Sequence, residues 1–226
     1  MRPLIIMNGE KIDWFPTVIR MLMYLAGVAV LALGMSLQTA SGLGVATLTC
    51  FATTLSMLTG KTLGFWITAT YVAYIVAQFT ILRREFQPRI LLELCFSTLI
   101  GGFTDFFMAV NPLHPAALPI QVETMLLSLA VTAFGVSLVV NMGVVPNAPD
   151  GLVQVIAEKI KRRFGDVKVV FDCSHVAVSL VLSLALMHNL GGFGVTTAIS
   201  ALFLGHVINI ANKLFAQRFV RAAFGK

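Results

Sequence analysis

Charge is what this chain has least of. Only 12 % of its 226 residues are Asp, Glu, Lys or Arg, while 58 % are apolar. A water-facing domain carries about a quarter charged side chains, so a soluble enzyme or a free binding domain is excluded. Cysteine is scarce too: Cys50, Cys95 and Cys173 are the only three. Their odd number and the lack of a C-x-x-C spacing exclude a disulfide framework and a zinc site. All three fall in apolar runs and read as small buried hydrophobes. No G-x-S-x-G, H-E-x-x-H, P-loop or G-x-G-x-x-G in a strand–helix setting is present. Nothing therefore points to an enzyme, a cofactor or a metal, and any transport would be gradient-driven, facilitated or powered by a separate subunit.

What the chain has is apolar length. Mean hydropathy is +0.89, and charge-free or nearly charge-free blocks run 21–39, 63–82, 90–110, 125–145, 169–187 and 192–210. Each is long enough to cross a hydrocarbon core of about 30 Å as a helix. Two further segments are poorer candidates. The block 43–59 is short and rich in Ser and Thr. The stretch 151–164 reads as an amphipathic helix, with Leu152, Ile156, Ile160 and Phe164 on one face and Gln154, Glu158, Lys161 and Arg162 on the other. A charge at the bilayer centre costs about 2.5–3.5 kcal/mol, so this second stretch is not expected to cross. The expected fold is an all-α polytopic bundle of about six transmembrane helices plus two short re-entrant or interfacial helices.

The net charge of +6 belongs to this layout. Basic residues stand between apolar blocks, not on a surface interleaved with aromatics, so nucleic acid is not an expected partner. With six crossings, the N-terminus, the Arg83–Arg89 loop, the Lys159–Lys168 stretch and the basic tail share one side. The loop holding Pro112, Pro115 and Pro119, free of Lys and Arg, lies on the other. The positive-inside rule makes the basic side cytoplasmic. The expected organisation is a cytoplasmic lead-in (1–20), without a signal-peptide cleavage site, a first membrane repeat (21–110), an extracytoplasmic loop (111–124), a second repeat (125–212) and a basic cytoplasmic tail (213–226). A bacterial inner-membrane location follows.

The repeats rest on echoes between the halves. Leu33-Gly34-Met35-Ser36-Leu37 resembles Phe134-Gly135-Val136-Ser137-Leu138, and Ser97–Gly102 resembles Ser200–Gly205. After the first echo each half has a Gly-containing polar break, Ser41-Gly42-Leu43-Gly44 and Met142-Gly143-Val144-Val145-Pro146. Three crossings per half turn the second copy upside down, and inverted repeats with interrupted segments in matching positions are the sequence pointer to a transporter and its site.

The Gly34–Gly44 region, the Gly143–Asp150 turn, Gly101-Gly102-Phe103-Thr104-Asp105 and Gly192–Thr196 through Gly205 resemble the YczE/YyaS/YitT-type bacterial integral membrane proteins. The resemblance spans nearly the whole chain and implies the topology above. Where that group often has Pro and Asp in its first break, this chain has Ala46 and Thr47. The second break reads as longer by a residue or two around Asn147 and Ala148.

Candidate functional residues follow from the breaks and from intramembrane polarity. Asp150, behind Asn147 and Pro149, marks a helix start at which Asn147 is expected to act as the cap. Asp105 near the end of the fourth crossing is an intramembrane carboxylate. Together with Ser41, Thr47 and Asn209 these form the expected substrate contacts for a small polar solute. Asp172 and His175, spaced i, i+3, form a candidate proton-coupling pair, although Lys168 four residues before Asp172 offers a plain ion pair. His206 and Asn209 share that spacing. Glu93, four residues after Arg89, reads as structural. Gly101, Gly102, Gly194 and Gly205 are expected to permit close helix packing. The partners expected are the lipid bilayer and a small polar solute, with room for a homo-oligomer. The leading functional expectation is a small secondary transporter; the other is a non-transporting membrane scaffold or accessory subunit.

Overall fold

The computed structural model describes residues 7–8, 11–12, 14–85, 88–111, 115–145, 147–188 and 193–224. Most of the lead-in, Pro112, Pro146, the Gly192 start of the last apolar block and Lys226 lie outside them. The described residues form an all-helical bundle: α1 (Trp14–Ser41), α2 (Thr47–Thr59), α3 (Leu63–Leu82), α4 (Leu92–Val110), α5 (Leu118–Met142), α6 (Ala148–Ile160), α7 (Phe164–Leu182) and α8 (Val195–Phe224). A two-residue antiparallel pairing, Met7–Asn8 with Lys11–Ile12, precedes them.

Five helical spans among the described residues are long and apolar enough to cross a membrane: 17–41, 63–82, 92–110, 118–142 and 165–187. The last of these runs on from α7 through a π-helical turn, Ser183–Met187. The sixth expected crossing falls on α8, which continues through the basic tail as one 30-residue helix. α2 and α6 are 13 residues each, about 20 Å at 1.5 Å per residue, too short to span the core. The outward faces are apolar, with Leu22, Phe79, Phe106, Leu127, Val140 and Val170 all exposed. Lipid is the solvent such faces require. Cys95 and Cys173 also face outward, and only Cys50 is buried. A thiol needs an apolar neighbourhood, which lipid supplies as well as a core does.

Several boundaries differ from the sequence reading. α5 starts at Leu118, before the apolar block, because Pro119 suits a helical first turn. α6 starts at Ala148 and ends at Ile160, where Lys161 turns left-handed with φ 54°. Its buried residues are Ala148, Pro149, Gly151, Leu152, Val153, Val155 and Ala157, and Ile160 is exposed. Of the expected face, Leu152 is buried and Ile160 is not, because the helix packs by its N-terminal half.

The core is the α1–α5 crossing. A Cβ on Gly34 would fall 2.7 Å from the Thr132 backbone nitrogen, and one on Gly135 would fall 2.6 Å from the Leu31 nitrogen. Neither glycine has space for a side chain, so the two backbones approach as closely as helices can. Gly64 and Gly101 do the same between α3 and α4, and Gly194 packs on Leu43 and Gly44. Gly102 and Gly205, expected to pack, face open space.

A single interval of 101 residues carries Gly42 onto Gly143, Ala46 onto Asn147, and Gly60 onto Lys161. Gly42, Gly143, Gly60 and Lys161 are all left-handed, with φ of 71°, 57°, 69° and 54°. α1 and α5 end, and α2 and α6 begin, at the same spacing. The second break is therefore not longer than the first. Residue-type matching misaligned the stretch around Asn147 and Ala148 because the backbone conformation is kept where the side chains are not.

Candidate functional site

The two breaks are each followed by a short helix whose first turn points into protein. At the second break, Arg20 of α1 is fully buried and donates from Nε to the Met142 carbonyl (2.7 Å) and from an Nη to that of Gly143 (2.9 Å). These are the carbonyls that the end of α5 leaves without helical partners. The Tyr24 hydroxyl donates to Val145 O (3.4 Å). The Gln78 amide of α3 donates to Glu93 Oε2 (2.7 Å) and Ala148 O (3.3 Å). Glu93, 2 % exposed, thus stands against the first turn of α6, where a Cβ on Gly151 would meet its Oε1.

Asn147 precedes that turn but does not cap it. Its amide faces the hydroxyl of buried Tyr71, and its buried Oδ1 has no partner. Asp150, in the first turn, pairs with Lys168 of α7 at 3.1 Å, and the same ammonium holds Asp172 at 3.0 Å. One lysine therefore ties α6 to α7 through two carboxylates. The Lys168–Asp172 pair follows from their spacing. The link to Asp150 is tertiary and has no sequence signal.

Three residues on from Asp172, His175 Nδ1 lies 2.8 Å from the Phe171 carbonyl. A carbonyl only accepts, so Nδ1 carries the proton, and Nε2 accepts from the Tyr74 hydroxyl of α3. Phe51 and Phe171 enclose the imidazole. Beside this pair a cavity of about 380 Å³ opens between α2, α3 and α7, lined by Phe51, Leu55, Trp66, Tyr74 and His175 among others. Cys50 on α2 meets Ser179 on α7 at 3.3 Å. The same interval of 101 residues carries Tyr74 onto His175, so two matching positions meet each other.

The other expected contacts are dispersed. Ser41 donates to Gln38 O at the end of α1 (2.7 Å), and Thr47 opens α2 at the first break. Asp105 of α4 reaches the start of α3, accepting from Thr62 Oγ1 (2.6 Å) and Gly64 N (2.7 Å), so its carboxylate serves an orphan donor of that helix terminus. Asn209 and His206 are exposed on α8. One turn beyond Asn209, Asn212 Oδ1 accepts from Ser137 (2.5 Å) and Asn141 (2.8 Å) of α5. The asparagine that meets α5 is thus Asn212 and not Asn209, a difference of face that sequence spacing alone does not give.

These features define a polytopic helical membrane protein with interrupted segments and a polar seam between α3 and α7. The chain belongs to a family of unknown function, DUF6198, whose model matches residues 18–213. No curated protein and no solved structure matches it.

Proposed function

We propose that this protein is a small secondary transporter of the bacterial inner membrane, built from two inverted repeats, with its termini in the cytoplasm. The observation that carries this reading is the Tyr74–His175 contact. Positions related by the interval that relates the halves touch only where the axis between those halves passes. Transporters of inverted repeats hold their solute at that interface, and here a cavity adjoins it. The α1–α5 crossing repeats the pattern: Gly34 meets Thr132 and Gly135 meets Leu31, the arrangement a two-fold relation produces. The resemblance to YczE/YyaS/YitT-type proteins is read as kinship in this topology.

In this mechanism the solute enters between α2, α3 and α7, with a polar group on Tyr74 or His175 and its body against Phe51 and Trp66. Lys168 closes α6 on α7 through Asp150 and Asp172, and its release opens the seam on that side. His175 can take up a proton at Nε2 when the Tyr74 bond breaks, which supplies a route for coupling.

Two experiments test the proposal. Single cysteines at Arg84 and Lys161, in a cysteine-free background, are both expected to be protected from an impermeant maleimide in intact cells. Labelling at 84 alone would put the halves in parallel and remove the argument. Proteoliposomes with a trapped pH dye, challenged with short organic acids, amines and alcohols, are expected to show solute-driven flux. Tyr74→Phe or His175→Gln should lower that flux at least tenfold while elution stays normal. Normal flux in both variants would place any solute elsewhere.

One observation favours the scaffold reading: Gly102 and Gly205 leave small-residue faces of α4 and α8 uncovered, as helix–helix association needs. A shift in oligomeric size with Gly102→Leu or Gly205→Leu, without any flux by the wild type, would support it.

A further inference from the structure

Among the described residues, the first break holds a group of buried polar atoms without a hydrogen-bond partner. Gln38, 1 % exposed, uses its Oε1 to accept from Ala46 N (3.2 Å), leaving Nε2 without a partner. From α8, the hydroxyls of Thr196 (0 %), Thr197 (5 %) and Ser200 (4 %) are equally without partners. Thr196 N donates to Leu43 O (2.9 Å), and Thr197 Oγ1 lies 3.0 Å from where a Gly44 Cβ would be. This first turn of α8 is therefore seated directly on the break, with Ser200 one turn further along.

Most buried hydroxyls elsewhere in the bundle bond within their own helix, Thr132 being an exception without a partner among the described residues. Thr53, Thr54, Thr104 and Thr124 each return their proton to the carbonyl four residues back. Ser200 has such a carbonyl on Thr196 and does not bond to it. A buried polar group left unsatisfied is destabilising, so four together require an occupant.

We propose that the first break binds a small monovalent anion, of halide size. Two helix N-termini converge there, α2 behind Ala46, which supplies no side-chain cap, and α8. Each N-terminus carries roughly half a positive charge, that of α8 already met in part by the Leu43 carbonyl on Thr196 N, so together they balance no more than about one negative charge. Gln38 supplies N–H, and Thr196, Thr197 and Ser200 supply O–H, all donors to an anion. None of these side chains, nor Ser41 or Thr47 beside them, is charged. A second negative charge would go unbalanced, and a cation would face helix ends of its own sign. This site is separate from the α3–α7 seam and holds whether or not the protein transports.

Bromide is the probe. Purified protein crystallised with bromide in place of chloride is expected to show an anomalous peak among Gln38, Thr197 and Ser200; ordered water alone there would overturn the proposal. Melting temperature should rise by about 2–4 °C and saturate as chloride replaces gluconate at constant ionic strength. Gln38→Leu and Thr197→Val should each weaken half-saturation at least tenfold. A wild-type rise that does not saturate, or one unchanged in both variants, would likewise overturn it. If the variants fail to fold, the bromide map of the wild type decides alone.

Discussion

The two breaks share a backbone and differ in chemistry. Each leaves its long helix through a left-handed glycine, passes an uncapped residue and enters a 13-residue helix. At the second break the exposed carbonyls of α5 are taken by a buried guanidinium, Gln78 joins Glu93 to α6, and Lys168 pairs with Asp150. At the first break the side chains are neutral, and four of their polar atoms have no partner. One break is a joint closed by charged side chains, with the Asn147 Oδ1 as its unpartnered buried atom among the described residues. The other is a set of donors waiting for a ligand. Similar backbone geometry in two places is thus no guide to similar function, which lies in the side chains set upon it.

The largest effect should come from breaking the charged joint. Arg20→Met leaves the Met142 and Gly143 carbonyls buried without donors, and should cost about 2–5 kcal/mol in a denaturing-detergent titration. A loss under 1 kcal/mol would mean that the second break does not depend on its guanidinium. Next comes the crossing on which both breaks hang. Gly34→Ala and Gly135→Ala each press a methyl into the facing backbone, and should each cost about 1–3 kcal/mol. Closely matched losses sharpen the comparison. A loss at one glycine only would break the equivalence of the halves. The smallest effects concern α8: Asn212→Ala should cost about 1 kcal/mol through its bonds to Ser137 and Asn141, while Asn209→Ala, on an exposed face, should leave the titration unchanged.

The membrane class and most helices were legible in the sequence because apolar length is a one-dimensional property. The span 63–82 was read to the residue. The start of α5 was missed because hydropathy says nothing about how far a helix extends into its loop. The candidate site was legible only in part. Asp150 stands out in the sequence as a helix start and Asp172 with His175 as a pair at i, i+3 spacing, and all three lie at or beside the α3–α7 seam. Tyr74, Gln38 and Arg20 do not stand out. Tyr74 is one of several aromatics in the run 63–82, Gln38 lies within a charge-free run, and Arg20 stands at the edge of the lead-in. One signal could have found Tyr74: the alignment of the halves that pairs Gly34 with Gly135 also pairs Tyr74 with His175. Asp105 stands out in the sequence as a carboxylate at the end of an apolar run, but only the fold shows that it accepts from the first turn of α3.

The residues that close the two short helices differ in what they demand of the chain. Gly60 adopts φ 69° freely, whereas Lys161 holds φ 54° against a steric preference of about 1–2 kcal/mol for any residue with a Cβ. The link from α2 to α3 therefore stores nothing in its backbone, and Ser56 and Thr59 bond Lys61 across it. The link from α6 to α7 is a cocked one, spanned by the ammonium that ties its two helices. Motion that begins in this bundle should begin at the sprung end.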